Sequence, residues 1–570
     1  MRIRRSGLVA GLGALAVAAI LFIACSTDEE FPKTTPQGDG GRPAEDASSG
    51  VDAAPLPLPT GRFLIGAWCG LPAGYVTQER MDEMKNAGIT TASFGCQGDT
   101  TSVTYNKQMI ALAVTAGMDA IVLDTRMYDV QVDKDLEANL DGIVKDYKDI
   151  PGVAGYFVVD EPSSPFTIAA KAVQGLQARD PAHYALVNLL PSYASTAQLG
   201  TPSYDEYVAN YLAAAKPKVV SYDHYPFLTD SFSGAFFVDL EIMRKHALAA
   251  GIPFWQFIQS VDFPGHPTTT AAEKQWEGMQ TLAYGGAGVL YFTYWSVPEG
   301  QGLGTGVLTR DGQRTAQYEE IKASDARFQA FGRYLVPAKS TAVWHNGALP
   351  GGTNTREPGM PIYFPSTTPL VIGQFSVNDG QYVFVANRYY TQAVETDAYV
   401  AGTAPEILDT TTGKFVAMPT LGSDPVKGTK VHLSIASADG ALIHLPGPVP
   451  AGAPGAEAFV GTVRGSTALF DIVDTAYGAL TLETATVDYC PKGHTNMGKL
   501  DGAAGFWLCV RTDLINHGFY VGNVVADQAT VYSVAKGVAT SQGAEGWDTC
   551  KKGKLIGRRF ESNGYWLCMD

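Results

Sequence analysis

The chain has 570 residues, too many for one hydrophobic core, and its 45% apolar, 11% aromatic and 17% charged composition is that of a multidomain globular protein. A net charge of −16 excludes a nucleic-acid partner, because phosphate binding needs clustered Lys and Arg. It suits work on neutral or cationic material outside a cell.

At the N-terminus, Arg2, Arg4 and Arg5 precede an apolar stretch over 8–23 that is too short for a comfortable membrane span and reads as a targeting segment. It ends in Phe22-Ile23-Ala24-Cys25, which resembles the bacterial lipobox. The resemblance implies a signal peptide over 1–25, a lipidated Cys25 and an extracytoplasmic protein tethered at the cell envelope. Ser26 points by the enteric sorting rule to the outer membrane or cell surface. Residues 26–60, rich in Pro, Gly, Asp, Ser and Thr, read as a disordered linker. Export implies an oxidising compartment, in which six further cysteines can pair: Cys69 with Cys96, Cys490 with Cys509, and Cys550 with Cys568.

From residue 61 to 336 strands and helices alternate. Apolar runs at 63–68, 90–94, 120–123, 154–159, 184–189, 219–222, 254–258 and 289–294 predict eight strands. Amphipathic stretches at 77–87, 106–116, 136–147, 167–178, 204–215, 238–250, 271–284 and 315–331 predict helices, several stopped by a C-terminal glycine (Gly88, Gly117, Gly251, Gly285). Eight such units match a (β/α)8 TIM barrel, and no Gly-rich phosphate loop follows the first strand to favour a doubly wound sheet.

Past Val336 the helical pattern stops. Short strands at 370–375, 382–386, 406–409, 431–435 and 441–445, with turns at Asn378-Asp379-Gly380, Thr412-Gly413-Lys414 and Asp439-Gly440, predict an all-β sandwich over 337–448. This layout resembles the C-terminal sandwich that follows the barrel in many glycoside hydrolases. A linker over 449–458 leads to a small disulfide-stapled, β-rich repeat module over 459–570. There Cys490-Pro491-Lys492-Gly493 runs on to Gly505-Phe506-Trp507-Leu508-Cys509, and Cys550-Lys551-Lys552-Gly553 to Gly564-Tyr565-Trp566-Leu567-Cys568.

Chemistry in a TIM barrel sits at the C-terminal strand ends. The fourth strand closes Val159-Asp160-Glu161-Pro162; two adjacent acids at a buried strand end are costly without a role, and their mutual repulsion raises the pKa that a general acid needs. The motif resembles the Asn-Glu-Pro of clan A glycoside hydrolases and the Asp-Glu pair of hexosaminidase-type families. Either resemblance implies that Glu161 is the proton donor, with Asp160 tuning or orienting. The sixth strand ends Asp223-His224-Tyr225, offering a second carboxylate and two groups that could bind sugar hydroxyls. The seventh strand departs from clan A: where that clan places its nucleophilic Glu stand Gln256 and Gln259, and the first acid is Asp262. The second carboxylate is therefore Asp223 by preference, Asp262 from the loop, or replaced by an acetamido group of the substrate.

Trp68 after the first strand, and Tyr294 and Trp295 after the eighth, are candidate sugar platforms; Asp124, Arg126, Asn188 and Gln259 are candidate polar contacts on the same rim. No zinc spacing, Gly-x-Ser-x-Gly elbow or P-loop is present; a divalent ion held by Asp124, Asp160, Glu161 and Asp223 is the one metal arrangement open. We expect a monomeric, cofactor-free and metal-free glycoside hydrolase, with a retaining mechanism favoured and a carbohydrate substrate. The alternative is a non-catalytic glycan-binding lipoprotein on the same scaffold.

Overall fold

The computed structural model describes residues 62–354, 356, 360–402, 404–424 and 428–447, together with the backbone of strands between 458 and 569. The lipidation at Cys25, the 26–60 linker and the pairing of Cys490, Cys509, Cys550 and Cys568 lie outside what is described.

Eight parallel strands form the barrel: β1 (Leu64–Ala67), β2 (Thr91–Ala92), β3 (Asp119–Val122), β4 (Val153–Asp160), β5 (Tyr184–Leu189), β6 (Val220–Asp223), β7 (Phe254–Gln259) and β8 (Gly288–Phe292). They pair in sequence from β2 round to β8, and β8 pairs with β1 from Leu64↔Gly288 to Ala67↔Tyr291. The last seam, β1 to β2, is closed by backbone and side-chain hydrogen bonds of Thr90 and by Ser93 on Ala67 O. The Ile65 N–H donates to Thr90 Oγ1 (2.9 Å) and the Thr90 N–H to Ile65 O (2.8 Å). The strand expected over 90–94 is two residues long here, Thr91–Ala92. Beyond the seam Cys69 and Cys96 are bonded, with Cα atoms 4.9 Å apart. The chains approach so closely there that a Cβ on Gly70 would lie 2.3 Å from Ser93 O.

The helices are α1 (Gln78–Asn86), α2 (Val103–Thr115), α3 (Arg126–Gln131), α4 (Leu136–Tyr147), α5 (Thr167–Arg179), α6 (Thr196–Leu199), α7 (Tyr204–Ala215), α8 (Phe236–Ala250), α9 (Ala271–Ala283) and α10 (Ala316–Leu335). Side-chain oxygens of Thr77, Ser102, Ser203 and Thr270 accept from the first-turn amides of α1, α2, α7 and α9. Gly88, Gly117, Gly251 and Gly285 take positive φ just past their helices, as the sequence pattern predicts. The two short extra helices, α3 and α6, lie within the segments that follow β3 and β5.

The sandwich comprises β9 (Lys339–Asn346), β10 (Ile362–Tyr363), β11 (Leu370–Val377), β12 (Gly380–Asn387), β13 (Val394–Val400), β14 (Glu406–Asp409), β15 (Lys414–Ala417), β16 (Thr420–Asp424), β17 (Gly428–Ile435) and β18 (Gly440–Pro446). A six-stranded sheet, β15-β14-β18-β12-β11-β9, faces a four-stranded one, β10-β13-β17-β16. Strand alternation splits the larger sheet between two cores. Leu370, Ile372, Val383, Val385 and Ile443 fill the sandwich. Val371, Phe375, Phe384 and Leu442 join the barrel core.

That second face lies on α9 and α10. Trp276 Nε1 donates to Arg388 O (3.2 Å), Arg327 pairs with Asp439 (2.6 Å), and the Phe331 and Phe384 ring centroids stand 5.0 Å apart.

In the last segment the backbone forms β19 (Ala458–Arg464), β20 (Thr467–Ile472), β21 (Thr481–Thr484), β22 (His494–Lys499), β23 (Trp507–Arg511), β24 (Phe519–Val525), β25 (Gln528–Ala535), β26 (Val538–Ala544), β27 (Lys554–Phe560) and β28 (Tyr565–Met569). They make two sheets of the same order, β21-β20-β19-β23-β22 and β26-β25-β24-β28-β27. The internal repeat reappears in the register: Gly461 pairs with Trp507, and Gly522 with Trp566.

The docked face yields a test. A Cβ on Gly373 would lie 2.2 Å from Ala283 O, so the sheet can seat on α9 only with glycine there. Gly373→Ala is expected to lower unfolding free energy by about 1–3 kcal/mol, read by urea denaturation.

Candidate active site

Asp160 is the last residue of β4, in register with Asn188 of β5. Its Oδ1 accepts from Asn188 Nδ2 (3.1 Å), and Ser221 Oγ of β6 lies 3.2 Å from Asn188 Oδ1, so three neighbouring strands hold this carboxylate. The next residue, Glu161, takes a left-handed backbone (φ 44°), which a non-glycine residue adopts only at a cost, while its N–H stays on Asn188 O (2.9 Å). Asp223 ends β6 and is buried.

Glu161 and Asp223 stand within hydrogen-bonding reach of each other, and the Asp160 charge acts on both. Tyr225 places its hydroxyl within hydrogen-bonding reach of Asp223, whose Oδ1 is buried without a partner. Burial raises Asp160 to about 6 against the pull of Asn188. Burial, then the charges of Asp223 and Asp160, push Glu161 well above the usual carboxyl range. Burial and Asp160 raise Asp223 in turn. Three acids this close in a poorly hydrated site cannot all ionise; Asp160 loses its proton first, and because the Glu161–Asp223 interaction raises Glu161 and lowers Asp223, Glu161 is the last to give its proton up.

Trp68, half-buried, caps the barrel interior, edge-on to Phe94, Phe157 and Phe257 with centroids at 4.9, 5.0 and 5.9 Å. Tyr225 stacks on Phe292 (5.7 Å). The structure thus gathers Asp160, Glu161, Asp223, Asn188 and Tyr225 at the C-terminal ends of β4, β5 and β6, with Trp68 at the end of β1.

The other candidates are occupied elsewhere. Asp124 accepts from Arg126 Nε and Nη2 (both 2.8 Å) and from Tyr147 Oη (2.6 Å), and Arg126 reaches on to Asp146 (2.8 Å). This pair clamps α3 to α4 and is no part of the carboxyl group, so the four-acid metal set is not assembled. Among the described residues no three His, Cys, Asp or Glu are grouped to hold a metal ion.

His224 is fully buried, with Nδ1 on Asp239 (2.6 Å) and Nε2 on Ser233 (2.7 Å), which leaves neither ring nitrogen for a sugar. The Tyr225 hydroxyl lies within hydrogen-bonding reach of Asp223. Gln259 Nε2 donates to Val261 O (3.1 Å) and Pro267 O (2.6 Å), shaping the β7 loop. Asp262 Oδ1 accepts from Thr268 Oγ1 (3.3 Å) and the Thr305 N–H (3.4 Å), tying the β7 and β8 loops together.

Tyr294 and Trp295 are buried and are not platforms. Their amides bond back to Trp68 O (2.9 Å) and Cys69 O (2.8 Å), and this turn carries the Trp295 ring against Tyr75 (4.7 Å) with Nε1 on Arg310 O (3.2 Å). The aromatic that β8 contributes beside Tyr225 is Phe292.

Three contributors escape a reading of strand ends. Tyr207 of α7 donates to Pro162 O (2.7 Å) and accepts from the Leu190 N–H (3.2 Å), stapling the β4 and β5 loops. Asp239 of α8 holds His224 and the Ser192 N–H (3.1 Å). Tyr193 follows β5 by four residues; its place in a Pro-Ser-Tyr turn was the only signal in the sequence.

The site's electrostatics predict a pH dependence. Burial and Asp160 hold Asp223 up at about 8, against an ordinary 3.8. Its proton therefore favours the folded state, fully so below about pH 4, and this contribution is lost as pH rises through 8. Asp223→Asn is expected to melt about 2–6 °C above wild type above pH 8, with the difference vanishing near pH 4. Melting curves across that range check it; a variant no more stable than wild type at high pH would refute the burial argument.

No protein-family model and no curated protein matches the chain. Among solved structures it is similar to a putative α-L-fucosidase from Bacteroides thetaiotaomicron (11% identity, 51% of this chain and 99% of that one, TM-score 0.34). It is also similar to a glucosidase from Croceicoccus marinus (10%, 67% and 95%, TM-score 0.36) and a family 51 α-L-arabinofuranosidase from Bifidobacterium longum (11%, 69% and 97%, TM-score 0.37).

Proposed function

We propose that the barrel is a glycoside hydrolase acting on an extracellular poly- or oligosaccharide, with Glu161 as general acid/base and Asp223 as the second carboxylate. The observation that carries this reading is the convergence of Glu161 and Asp223 beside Asp160 at the barrel mouth. A protonated Glu161 can donate to the glycosidic oxygen, and Asp223, once it has lost its own proton, can meet the developing positive charge at the sugar carbon. Carboxyls within hydrogen-bonding reach leave no room for a water between them. The close approach favours the retaining class over the inverting class, which needs room for a water between its carboxyls. In the second half of a double displacement Glu161 would activate water as a base. Asp160, braced by Asn188, keeps the proton on Glu161.

One observation favours the rival, a glycan-binding protein without catalysis: β7 contributes no carboxylate to the site. A panel of aryl glycosides, including N-acetylhexosaminides, separates the two. Glu161→Gln is expected to lower kcat by about 10²–10⁴-fold with KM little changed, and Asp223→Asn to match it. A wild type that binds oligosaccharide but cleaves nothing, with binding unaltered in Glu161→Gln, would establish the rival. Activity confined to acetamido sugars would pass the nucleophile's role to the substrate.

We propose further that Cys25 is acylated and holds the barrel outside the membrane on the 26–60 tether. Cys25→Ala is expected to move the protein from the detergent phase to the aqueous phase on Triton X-114 partition; unchanged partition would disprove the anchor.

A further inference from the structure

The mechanism above leaves Tyr193 without a role, yet its surroundings are specific. Its side chain is two-faced. The residue is 44% exposed, while its hydroxyl lies within hydrogen-bonding reach of the Tyr225 backbone amide and in the field of Asp223 and Glu161. Burial and those two charges push the phenol well above its ordinary value, so the hydroxyl keeps its proton and has one to donate.

The residue is also held firmly from beneath. The ring meets the edge of His224, with centroids 5.0 Å apart at 78°. His224 in turn is locked between Asp239 (2.6 Å) and Ser233 (2.7 Å). The same Asp239 oxygen accepts the N–H of Ser192, the residue before Tyr193 (3.1 Å). One buried carboxylate thereby fixes both the backbone that carries Tyr193 and the imidazole against which it leans.

We propose that Tyr193 is a member of the reacting site, its hydroxyl aimed at the Glu161–Asp223 pair and its exposed ring forming the wall on which a sugar ring stacks. The stacking half rests on the glycosidase reading; the hydroxyl half does not. The phenol favours the charged form of the acids, and the ring offers an apolar face to the C–H side of a pyranose.

Tyr193→Phe and Tyr193→Ala in the full chain test this, with melting curves to confirm folding at this half-open turn position. The first readout needs no substrate. Carbodiimide with glycinamide labels protonated carboxyls, and mass spectrometry follows the peptides carrying Glu161 and Asp223 across pH, referenced to peptides with exposed acids. Other titratable groups facing the pair are Asp160 from β4, Tyr204 and Tyr207 from α7 and Tyr222 and Tyr225 from β6, with His266 of the β7 loop against Tyr225; all stay unchanged in the variants.

Tyr193→Phe is expected to raise the pH at which labelling fades by about half a unit or more. A midpoint that stays in place overturns the hydroxyl's role, whatever the enzyme does. On a glycoside that wild type cleaves, Tyr193→Ala is expected to raise KM about 5- to 10-fold, while Tyr193→Phe leaves it within about twofold. An unchanged KM in Tyr193→Ala overturns the stacking role. A wild type that cleaves nothing removes the glycosidase reading and the stacking role together, and a labelling shift would still uphold the hydroxyl's.

Discussion

Glu161 and Asp223 face each other where neither can be well hydrated, and Asp160 adds a third negative charge beside them. Water would dissipate that repulsion; protein does not, so the site must retain a proton, and the surrounding structure decides where it rests. Asn188 neutralises part of Asp160, Tyr225 serves Asp223, and Glu161 receives no such help. The left-handed backbone at Glu161 belongs to the same arrangement. It turns the chain sharply at the strand end while keeping the Glu161 amide on β5, so two consecutive residues can both present acids to one site.

The barrel was legible because its period is. Eight apolar runs separated by amphipathic stretches leave little choice of topology, and the glycines after α1, α2, α8 and α9 stop those helices where the pattern says. The three acids were legible for a related reason: a carboxylate at a buried strand end has no cheap alternative to a functional or paired role. The rim was harder. Asp124, His224, Gln259 and Asp262 each have the right chemistry in the right neighbourhood. Their partners, however, come from far along the chain or from loop carbonyls: Tyr147, Asp239, Pro267 and Thr305. One residue past a strand end, direction is set by the loop rather than by the pleat. Hence Phe292 stacks beside Tyr225 while Trp295, three residues on, turns away under the loop.

The sandwich bears on the site through α9. That helix follows β7, and its Trp276 and Gln280 side chains donate to backbone carbonyls at the end of β12 and just beyond it. Trp276 is also packed by Phe232 and Phe236, from the loop after β6 and the start of α8. The same α8 carries Asp239, which grips His224 and Ser192. A continuous path of packed rings and buried hydrogen bonds therefore runs from the sandwich to the residues flanking Asp223. This gives the second module a structural reason to dock on this side of the barrel.

The missing carboxylate on β7 looks different once the geometry is known. In the clan A arrangement the two acids stand on β4 and β7, with two strands between them around the ring. Here Glu161 and Asp223 stand at the ends of β4 and β6, with only β5 between. The chord across the mouth is shorter, so an aspartate, one methylene shorter than glutamate, can reach from β6 into contact with Glu161. The place on β7 does not stay polar. Phe257, in register with Asp223, packs beneath Trp68, and Gln259 bends into the loop. The shorter chord also carries a consequence for the partner residues. With β5 alone between the acids, its strand end brings Asn188 into register with Asp160, and the turn after it carries Tyr193.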